Sequence, residues 1–502
     1  MSSVTAPVQP PRFPMKSALV VLVLLIASLA SAGTIADFEA TFHDETLRID
    51  YFHAGDSDSE EISLDMVYRQ GTWAGSRTRL TDDLNLGRYY IYLYDAETGD
   101  MLYSRGFDSY FGEYQTTGVA ATGAWRTYHE TALVPCPKKP CDFAFTVRMG
   151  DQSLREIYRV RIDPEHYSIR REPLDDQAII VTAHEGGDPH NRVDVVILGE
   201  GYTADQTAKF EKDVNHFAAV MLGHEPYKSL ADQFNIRGVM TPSQDPGCDE
   251  PSRGVFAHTP LGTTFDSLGS ERYLLTEDNR ALRDLAAHVP YDALYVMVNH
   301  ERYGGGGIYN AFNTFTSDNQ WSDYVFLHEF GHHFAGLADE YYTSQTAYND
   351  FYPRGIEPLE RNITRLIDPS RCKWQDLVSG DAELPTPWAK AEYDKADIEY
   401  QKTRGATNDR VAELMTSGAS TEEVEAAKAE GEELSRSHQA AVDARFAGSP
   451  FKTTVGAFEG AGYTSEGMYR SQLDCIMFTK GIKPFCAACN AAIIEVIERY
   501  GE

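Results

Sequence analysis

Polar and apolar residues alternate along the first third of the chain, from Thr46 to about Asp163. The segments "TLRIDYFHA", "EISLDMVYR" and "FAFTVRM" have this period of two and are rich in Tyr, Phe, Val and Ile, which is typical of strands with one buried face. The longer run "RYYIYLYDAETGDMLYSRGF" contains the turn "DAETGD" and predicts a hairpin. Short strands at this spacing predict an all-β sandwich over residues 33–165.

The pattern changes after "RREPLDDQ", which predicts a polar linker over residues 166–190. "RVDVVILGEGY", "FNIRGVM" and "YDALYVMVNH" are apolar runs of the buried-strand type, and helical patterns separate them. Thr203 and Gln206 of "TADQ" form a predicted capping box at the start of one such helix. This alternation of strands and helices predicts an α/β domain over residues 191–502.

Two segments of the predicted α/β domain break its pattern. The glycines of "YGGGG", before the predicted strand "IYNAFNTFT", are interpreted as a flexible connection, with a backbone that approaches a ligand as the alternative. Residues 388–446 are charged, Ala-rich and helical in period, and Ser420 and Glu423 form a predicted capping box. Their apolar stripes are narrow, so they predict a solvated helical hairpin, inserted into the domain and dispensable for folding of its core.

Composition restricts the class of protein. The 502 residues are 42% hydrophobic and 12% aromatic, which fits a chain of more than one globular domain. The formal net charge of −31 argues against nucleic acid and anionic membrane surfaces as partners, because phosphate binding needs clustered Lys and Arg. Composition does not indicate an oligomeric state.

The first residues have the pattern of a targeting segment. Arg12 and Lys16 precede the apolar run "ALVVLVLLIASLA", and "ASA" then offers a cleavage site of small residues. This run is too short for a comfortable membrane span. Residues 1–32 are therefore interpreted as a signal peptide, and the mature chain is expected to be secreted or periplasmic, without stable membrane insertion. An uncleaved, membrane-anchored form is the alternative.

Cysteine usage is interpreted in the light of that export. Seven cysteines in an exported chain suggest disulfides, and the odd number leaves at least one thiol unpaired within the monomer. Cys136 and Cys141 bracket a plausible small loop, and Cys486 and Cys489 of "CAAC" are interpreted as a structural disulfide in preference to a redox pair.

The candidate chemistry lies in "HEFGHHFAGLADEYY", residues 328–342. His328 and His332 are four residues apart, so on a helix both imidazoles share a face and can reach one zinc ion at about 2.0–2.1 Å. Glu329 can reach a water on that ion, whose pKa zinc lowers towards about 7, and can take its proton. This is the H-E-x-x-H arrangement of metallopeptidases. A polar helix without metal is the alternative, and His333, 100° further around the helix, is interpreted as a surface or supporting residue.

A catalytic zinc site also needs a third protein ligand and an open fourth position. Gly336 is expected to end the helix in the left-handed conformation. Asp339 follows this glycine at the interval that metzincins use for their third ligand. The interval before the glycine is one residue longer than in metzincins, and Asp replaces His, so Glu340 remains the alternative ligand.

Further motifs carry a family resemblance. "VVILGEGYT", "HEFGHHFAGLADEY" and "VGAFEGAGYTSEGMYRSQLDCIMF", followed by "FCAAC", resemble the bacterial IgA-peptidase family of zinc metallopeptidases, of metzincin type. "TLRIDYFHAGD" and "YSRGFDSYFGEYQTT" resemble the domain that precedes the peptidase domain in that family. The resemblance covers most of the mature chain except the helical insertion. It implies that His328, His332 and Asp339 bind zinc, that Glu329 is the general base, and that Met477 forms the Met-turn beneath the metal.

These features predict an exported zinc endopeptidase that acts on a protein or peptide substrate. Its expected architecture is an N-terminal all-β sandwich followed by an α/β metzincin-like domain with a helical insertion. Tyr469 of "GMYRS" is a candidate to hydrogen-bond the oxyanion, and Glu340 is a candidate hydrogen-bond acceptor or ion-pair partner beside the ligands. A zinc-stabilised adhesin or glycan-binding protein and a narrow exopeptidase are the alternatives. The sequence does not specify the substrate or the cleavage site.

Overall fold

Two antiparallel sheets form the N-terminal domain of the protein. The computed structural model describes residues 37–174, 177–343, 352–380 and 382–501, and the predicted signal peptide, residues 1–32, lies outside them. The strands are β1 (Phe42–Gly55), β2 (Glu60–Arg69), β3 (Tyr89–Asp95), β4 (Met101–Phe107), β5 (Arg126–Pro137), β6 (Cys141–Arg148) and β7 (Leu154–Ile162). Two short helices, α1 (Phe38–Thr41) and α2 (Tyr110–Gln115), accompany them. The strand orders are β2-β1-β5 and β4-β3-β6-β7.

The alternating pattern of these strands produces a shared core. Leu47, Ile49 and Tyr51 occupy every second position of β1 and share one face, as the strand period requires, while Arg48 and Asp50 between them are buried as an ion pair. They belong to one hydrophobic cluster with Tyr89 and Ile91 of β3, which lies in the other sheet. The inner faces of both sheets therefore enclose a common core. The turn "DAETGD" joins β3 to β4 in the predicted hairpin.

A six-stranded mixed sheet forms the centre of the C-terminal domain, in the order β14-β15-β13-β9-β10-β8. The strands of this domain are β8 (Ile179–Glu185), β9 (Val193–Glu200), β10 (Phe234–Met240), β11 (Thr263–Thr264), β12 (Leu275–Thr276), β13 (Ala293–Val298), β14 (Gly305–Ile308), β15 (Phe312–Thr316), β16 (Ile363–Thr364), β17 (Phe458–Ala461) and β18 (Thr464–Arg470). The helices are α3 (Thr207–Gly223), α4 (Asn279–Ala286), α5 (Ser322–Ala335), α6 (Lys390–Thr416), α7 (Thr421–Ala447) and α8 (Ala487–Ile497).

The central strands of this sheet are parallel and buried on both faces. β9 pairs in parallel with β10 and β13, and all its residues are buried, which explains its continuous apolar sequence. The two edge strands, β8 and β14, are antiparallel to their neighbours. Because β8 lies within the predicted linker, 166–190, that linker is partly wrong. Its half-exposed residues give "IIVTAHE" the appearance of a connecting segment.

The predicted insertion is a helical hairpin of α6 and α7, and α7 begins with the capping box of Ser420 and Glu423. Its base is not solvated, however. Tyr393 and Phe446 are buried and belong to the main hydrophobic core of the C-terminal domain. Their rings stack at a centroid distance of 5.6 Å, and both contact Phe478. The expectation that the whole hairpin lies outside the core is therefore wrong.

The two domains share an apolar interface. Tyr110, Phe111 and Tyr114 of α2, together with Tyr128 of β5, belong to one hydrophobic cluster with residues of β9, β13 and α4. Polar contacts surround this cluster, among them the hydrogen bond that Asn279 Nδ2 donates to Thr131 Oγ1 over 2.8 Å. Within the described part of the chain, none of the helices is long and apolar enough to cross a membrane.

Candidate metal centre and active site

Helix α5 presents the histidine motif from a buried position. Eleven of its fourteen residues are buried, including Phe326 and Phe330, whose rings stack on Tyr295 of β13. This packing fixes the rotation of the helix about its axis. Gly336 ends the helix with φ 57° and ψ 36°, in the left-handed conformation that the sequence predicts. The chain then turns back towards the histidines.

The two histidines face each other across one turn of α5. The Nδ1–H group of His328 donates to the carbonyl of Ile476 over 3.0 Å, and that of His332 donates to the carbonyl of Leu337 over 2.6 Å. These bonds fix both rings and leave the Nε2 atoms, 3.2 Å apart, as the free donors of electron pairs. A backbone carbonyl in this role is the usual orienting partner of a metal-binding histidine.

Asp339 completes the group from the segment after Gly336. Its Oδ1 atom lies 3.1 Å from the Nε2 atoms of both His328 and His332. The hydroxyl of Tyr463, at the turn between β17 and β18, donates to Oδ2. Burial alone would raise the pKa of Asp339, but the two histidines outweigh it and hold that pKa well below its usual range.

The donor set fits a zinc ion. Ligands at about 2.0–2.1 Å from a tetrahedral ion lie about 3.3 Å from one another, close to the three separations of 3.1–3.2 Å observed here. Two imidazoles and one carboxylate also match the ligand types of catalytic zinc. Without a cation, burial opposes protonation of His332, but Asp339 outweighs it and raises the pKa of that histidine to about 9. Metal and proton therefore compete for the same Nε2 atom.

Glu329 lies beside this group at a cavity of about 880 Å³. The cavity is lined by His328, His332 and Asp339 as well as by Glu329, so the open side of the three donors faces it. Burial raises the pKa of Glu329, although both histidines oppose the shift. A carboxylate with a raised pKa is a stronger base than an ordinary glutamate, which suits it to accept and return a proton beside a metal position.

The glycines of "YGGGG" form part of this site. Gly305 and Gly307 lie in the edge strand β14, which lines the cavity and runs antiparallel to β15. A Cβ atom on Gly305 would lie 2.7 Å from Val325, and one on Gly307 would lie 2.6 Å from the carbonyl oxygen of Glu329. The glycines therefore let a strand pack directly against α5, and the interpretation as a flexible connection is wrong.

Several aromatic and basic side chains near the donors were not singled out by the sequence analysis. Arg272 Nη2 donates to the hydroxyl of Tyr341 over 3.0 Å, and the ring of Tyr341 lies parallel to that of His328 at 6.3 Å. Tyr303 also lines the cavity, and burial raises the pKa of its hydroxyl to about 12. Only Tyr341 lies within the histidine motif, so no local pattern could have indicated the other two.

The structure also places the supporting residues of the sequence analysis. The sulfur of Met477 packs against α5, where a Cβ atom on Gly331 would lie 2.9 Å from it. The backbone carbonyl of Met477 accepts a hydrogen bond from the backbone N–H of Glu340 over 2.8 Å. His333 is buried, so of its two interpretations, as a surface or a supporting residue, the first is wrong. Its Nδ1–H donates to the carbonyl of Ile308, and its Nε2 accepts from the backbone of Leu294, both over 3.0 Å.

Two further candidates lie away from the cavity. Tyr469 is in β18, and it is not among the described residues that line the cavity; Tyr463, six residues earlier, makes the contact with Asp339. Glu340 points away from the histidines, towards Cys486 and Cys489.

All seven cysteines are free thiols, including those of the two expected disulfides.

Comparison with known protein families matched both halves of the chain. A family model described as IgA Peptidase M64 matches residues 181–497, and a model described as Peptidase M64 N-terminus matches residues 37–159. The two matched ranges correspond to the two domains of the structure. A comparison with curated proteins found no match.

Proposed function

This chain belongs to the IgA peptidase M64 family, and from that premise we propose that it is an exported zinc-dependent endopeptidase of metzincin type. The proposal assigns His328, His332 and Asp339 as zinc ligands and Glu329 as the general base. The observation that carries it is the triangle of two Nε2 atoms and one Oδ1 atom, with edges of 3.1–3.2 Å, at the wall of a large cavity. Three donors that face a cavity favour a catalytic site over the closed metal site of an adhesin.

The residues of the chain divide the work of peptide hydrolysis. A zinc ion at the three donors would polarise the scissile carbonyl and lower the pKa of the attacking water. Glu329 takes the proton from that water and gives it to the leaving amine. Arg272, which lines the cavity and donates a hydrogen bond to Tyr341, would supply positive charge for the developing oxyanion.

The substrate class follows from the wall of the cavity. β14 lies at the end of the six-stranded sheet and lines the cavity. The main-chain groups of Gly305 already pair with Arg272 and Leu274 over 3.3 and 3.4 Å, so the part of this edge that a substrate can use begins after Gly305. An extended peptide can pair with such an edge through backbone hydrogen bonds, which are independent of its sequence. We therefore propose an unfolded or flexible segment of a protein as the substrate, cut at an internal bond.

Exchange of Glu329 for glutamine tests the proposal. Glu329→Gln removes the base but leaves all three ligands, so we expect kcat to fall by about 10²-fold or more while the zinc content is unchanged. The assay uses peptides blocked at both termini, because their cleavage requires an endopeptidase. Glu432→Gln, a carboxylate of α7 that lines the same cavity, is the control and should cleave at the normal rate. A zinc-loaded Glu329→Gln protein with full activity would contradict the assigned mechanism.

A further inference from the structure

A second cluster of metal-binding side chains lies outside the cavity. Cys475, Cys486, Cys489 and Glu340 each offer one ligand atom, and these four atoms all lie within 4.8 Å of one another. The Sγ atoms of Cys475 and Cys489 are 3.8 Å apart, and those of Cys486 and Cys489 each lie 3.2 Å from Oε1 of Glu340. All four residues are buried, and none is among the described residues that line the cavity.

The sulfur geometry is that of a coordination shell. A disulfide has a sulfur separation of about 2.05 Å, far below the 3.8 Å between Cys475 and Cys489. Two thiolates at about 2.3 Å from one tetrahedral zinc ion lie about 3.8 Å apart, and a thiolate and a carboxylate oxygen lie about 3.5 Å apart. The observed separations are close to both values.

Glu340 is a buried carboxyl group with one unsatisfied oxygen. The residue is 0% exposed, its Oε2 atom has no hydrogen-bond partner, and Oε1 accepts from Asn362 over 3.2 Å. Among the described residues, the charge of the buried Arg470 acts on this carboxyl group, but no lysine or arginine lies within ion-pair distance of it. A buried carboxylate that faces three sulfur atoms is costly unless a cation lies between them.

Backbone N–H groups favour the thiolate form of the sulfurs. The N–H groups of Cys486 and Met477 point at Sγ of Cys475, with nitrogen–sulfur distances of 3.1 Å and 3.4 Å. Cys486 caps the N-terminus of α8, where its Sγ accepts from the N–H of Cys489 over 3.5 Å. A helix N-terminus stabilises a thiolate, and thiolates are the cysteine form that binds metal.

We propose that Cys475, Cys486, Cys489 and Glu340 bind a second, structural zinc ion. Soft thiolate ligands select zinc among the common divalent ions, and four protein ligands leave no open position for catalysis. This site does not depend on the proposed peptidase function, because its ligands take no part in the cavity.

The second ion would stabilise the segments that carry the first site. Glu340 follows Asp339 directly, and Cys475 directly precedes Ile476, whose carbonyl orients His328. Cys486 and Cys489 anchor both segments to α8. The second zinc would therefore link the segment of the third catalytic ligand to the turn that contains Met477.

Metal analysis of the full-length protein tests this proposal. We expect about two equivalents of zinc per chain by mass spectrometry after dialysis against a weak chelator. The double variant Cys486→Ser/Cys489→Ser should lose one equivalent, and His328→Ala/His332→Ala should lose the other. Cys248→Ser, which changes a buried thiol outside the cluster, is the control and should retain both.

Cobalt substitution keeps the test decisive if a cysteine variant does not fold. Cobalt in the wild-type protein and in His328→Ala/His332→Ala should show the near-ultraviolet charge-transfer band of thiolate ligands, which two histidines and an aspartate cannot produce. Three results would each overturn the second site. They are a single zinc equivalent that the histidine variant abolishes, an absent charge-transfer band, and a Cys475–Cys489 disulfide in the purified protein. Loss of peptidase activity alone would not, since that result concerns the first site.

Discussion

The hydroxyl of Tyr463 holds one oxygen of Asp339 and leaves the other for the metal. Tyr463→Phe removes only this hydrogen bond, so we expect zinc affinity and kcat/KM to fall by about 10- to 100-fold, the usual effect of an orienting partner. Chelator competition and peptide kinetics provide the two measurements. Tyr469→Phe, in the same hairpin but away from the cavity, is the matched control. An equal loss in that control would assign the role to Tyr469.

His53 joins two carboxylates of the N-terminal domain. Its two ring nitrogens lie 3.0 Å from carboxylate oxygens of Glu130 and Glu60. Burial opposes protonation, but Glu130 and Glu60 outweigh it and raise the pKa of His53 above its ordinary value. A raised folded-state pKa gives stability that is fully present below about pH 6.5 and is lost as the pH rises through the folded-state pKa.

His53→Gln should therefore cost more stability at pH 6 than at pH 9. Urea unfolding of both proteins across this range measures the difference. His166→Gln, which changes an exposed histidine, is the control and is measured in the same way. A His53→Gln protein whose loss of stability is the same at both pH values would show that the charged imidazolium contributes nothing.

Residue-scale prediction worked where a local rule applied. The H-E-x-x-H spacing placed His328 and His332 on one face, and the glycine rule placed the turn before Asp339. Tyr463 was missed because its position depends on the hairpin of β17 and β18, in which its φ of 59° turns the chain towards Asp339. Arg272 is distant in sequence from the motif, so only tertiary structure brings it to the cavity.

At the scale of elements, the hairpin of α6 and α7 has two parts with different roles. Near its base, Tyr393 and Phe446 belong to the core, and His438 pairs with Asp397 over 2.8 Å. The distal turns line the cavity, and Lys428 pairs with Glu301 there. The base therefore contributes to stability, while the distal part shapes access to the site.

Replacement of residues 408–428 by a short Gly/Ser turn should keep the protein folded. We expect cleavage of small peptides to continue, because neither ligands nor base are touched, and KM for protein substrates to change, because one wall of the cavity is lost. Removal of the whole segment 388–446 is the contrasting variant and should give unfolded protein, since truncation of a single core phenylalanine already costs about 3–5 kcal/mol. A folded, fully active protein without 388–446 would contradict the division into two parts.

Element prediction failed where a pattern had two meanings. Half-exposed "IIVTAHE" resembles a connecting segment, yet it is the edge strand β8, because an edge strand of a mixed sheet buries only part of each side chain. Narrow apolar stripes indicated a solvated hairpin, but the few large residues at its base are enough to join the core. The central strands were correctly predicted, since burial on both faces leaves an unambiguous apolar run.

At the scale of the whole molecule, the N-terminal domain supplies part of the cavity wall. Glu113 of α2 and residues 116–119 line the cavity, and Glu113 accepts a hydrogen bond from Tyr273. A chain of residues 177–502, which keeps β8, should therefore be poorly soluble, because its apolar face towards Tyr110 and Tyr128 becomes exposed. Solubility and size-exclusion chromatography measure this effect. A soluble monomer with normal peptide cleavage would show that the domains are independent.

The interface between the two domains could not be predicted from the sequence. The two domains were predicted as separate units because their hydrophobic patterns differ. The sheets differ accordingly, since those of the N-terminal domain are antiparallel and the central sheet of the C-terminal domain is mixed. The aromatic residues of "DSYFGEYQTT" contribute to both domains at once, and no local period distinguishes such a role from ordinary burial. The contact becomes evident only when both surfaces are in place.

The two ligand clusters require very different lengths of chain to assemble. His328 and Asp339 are 339 − 328 = 11 residues apart, whereas Glu340 and Cys489 are 489 − 340 = 149 residues apart. Because the entropic cost of closing a loop grows with its length, the first cluster can form early in folding, from one helix and its adjoining turn. A nascent or clipped chain that ends before Cys475 thus carries every proposed catalytic ligand and the base. It lacks the carbonyl of Ile476 that orients His328, so maturation of the site depends on a segment synthesised more than a hundred residues after the ligands.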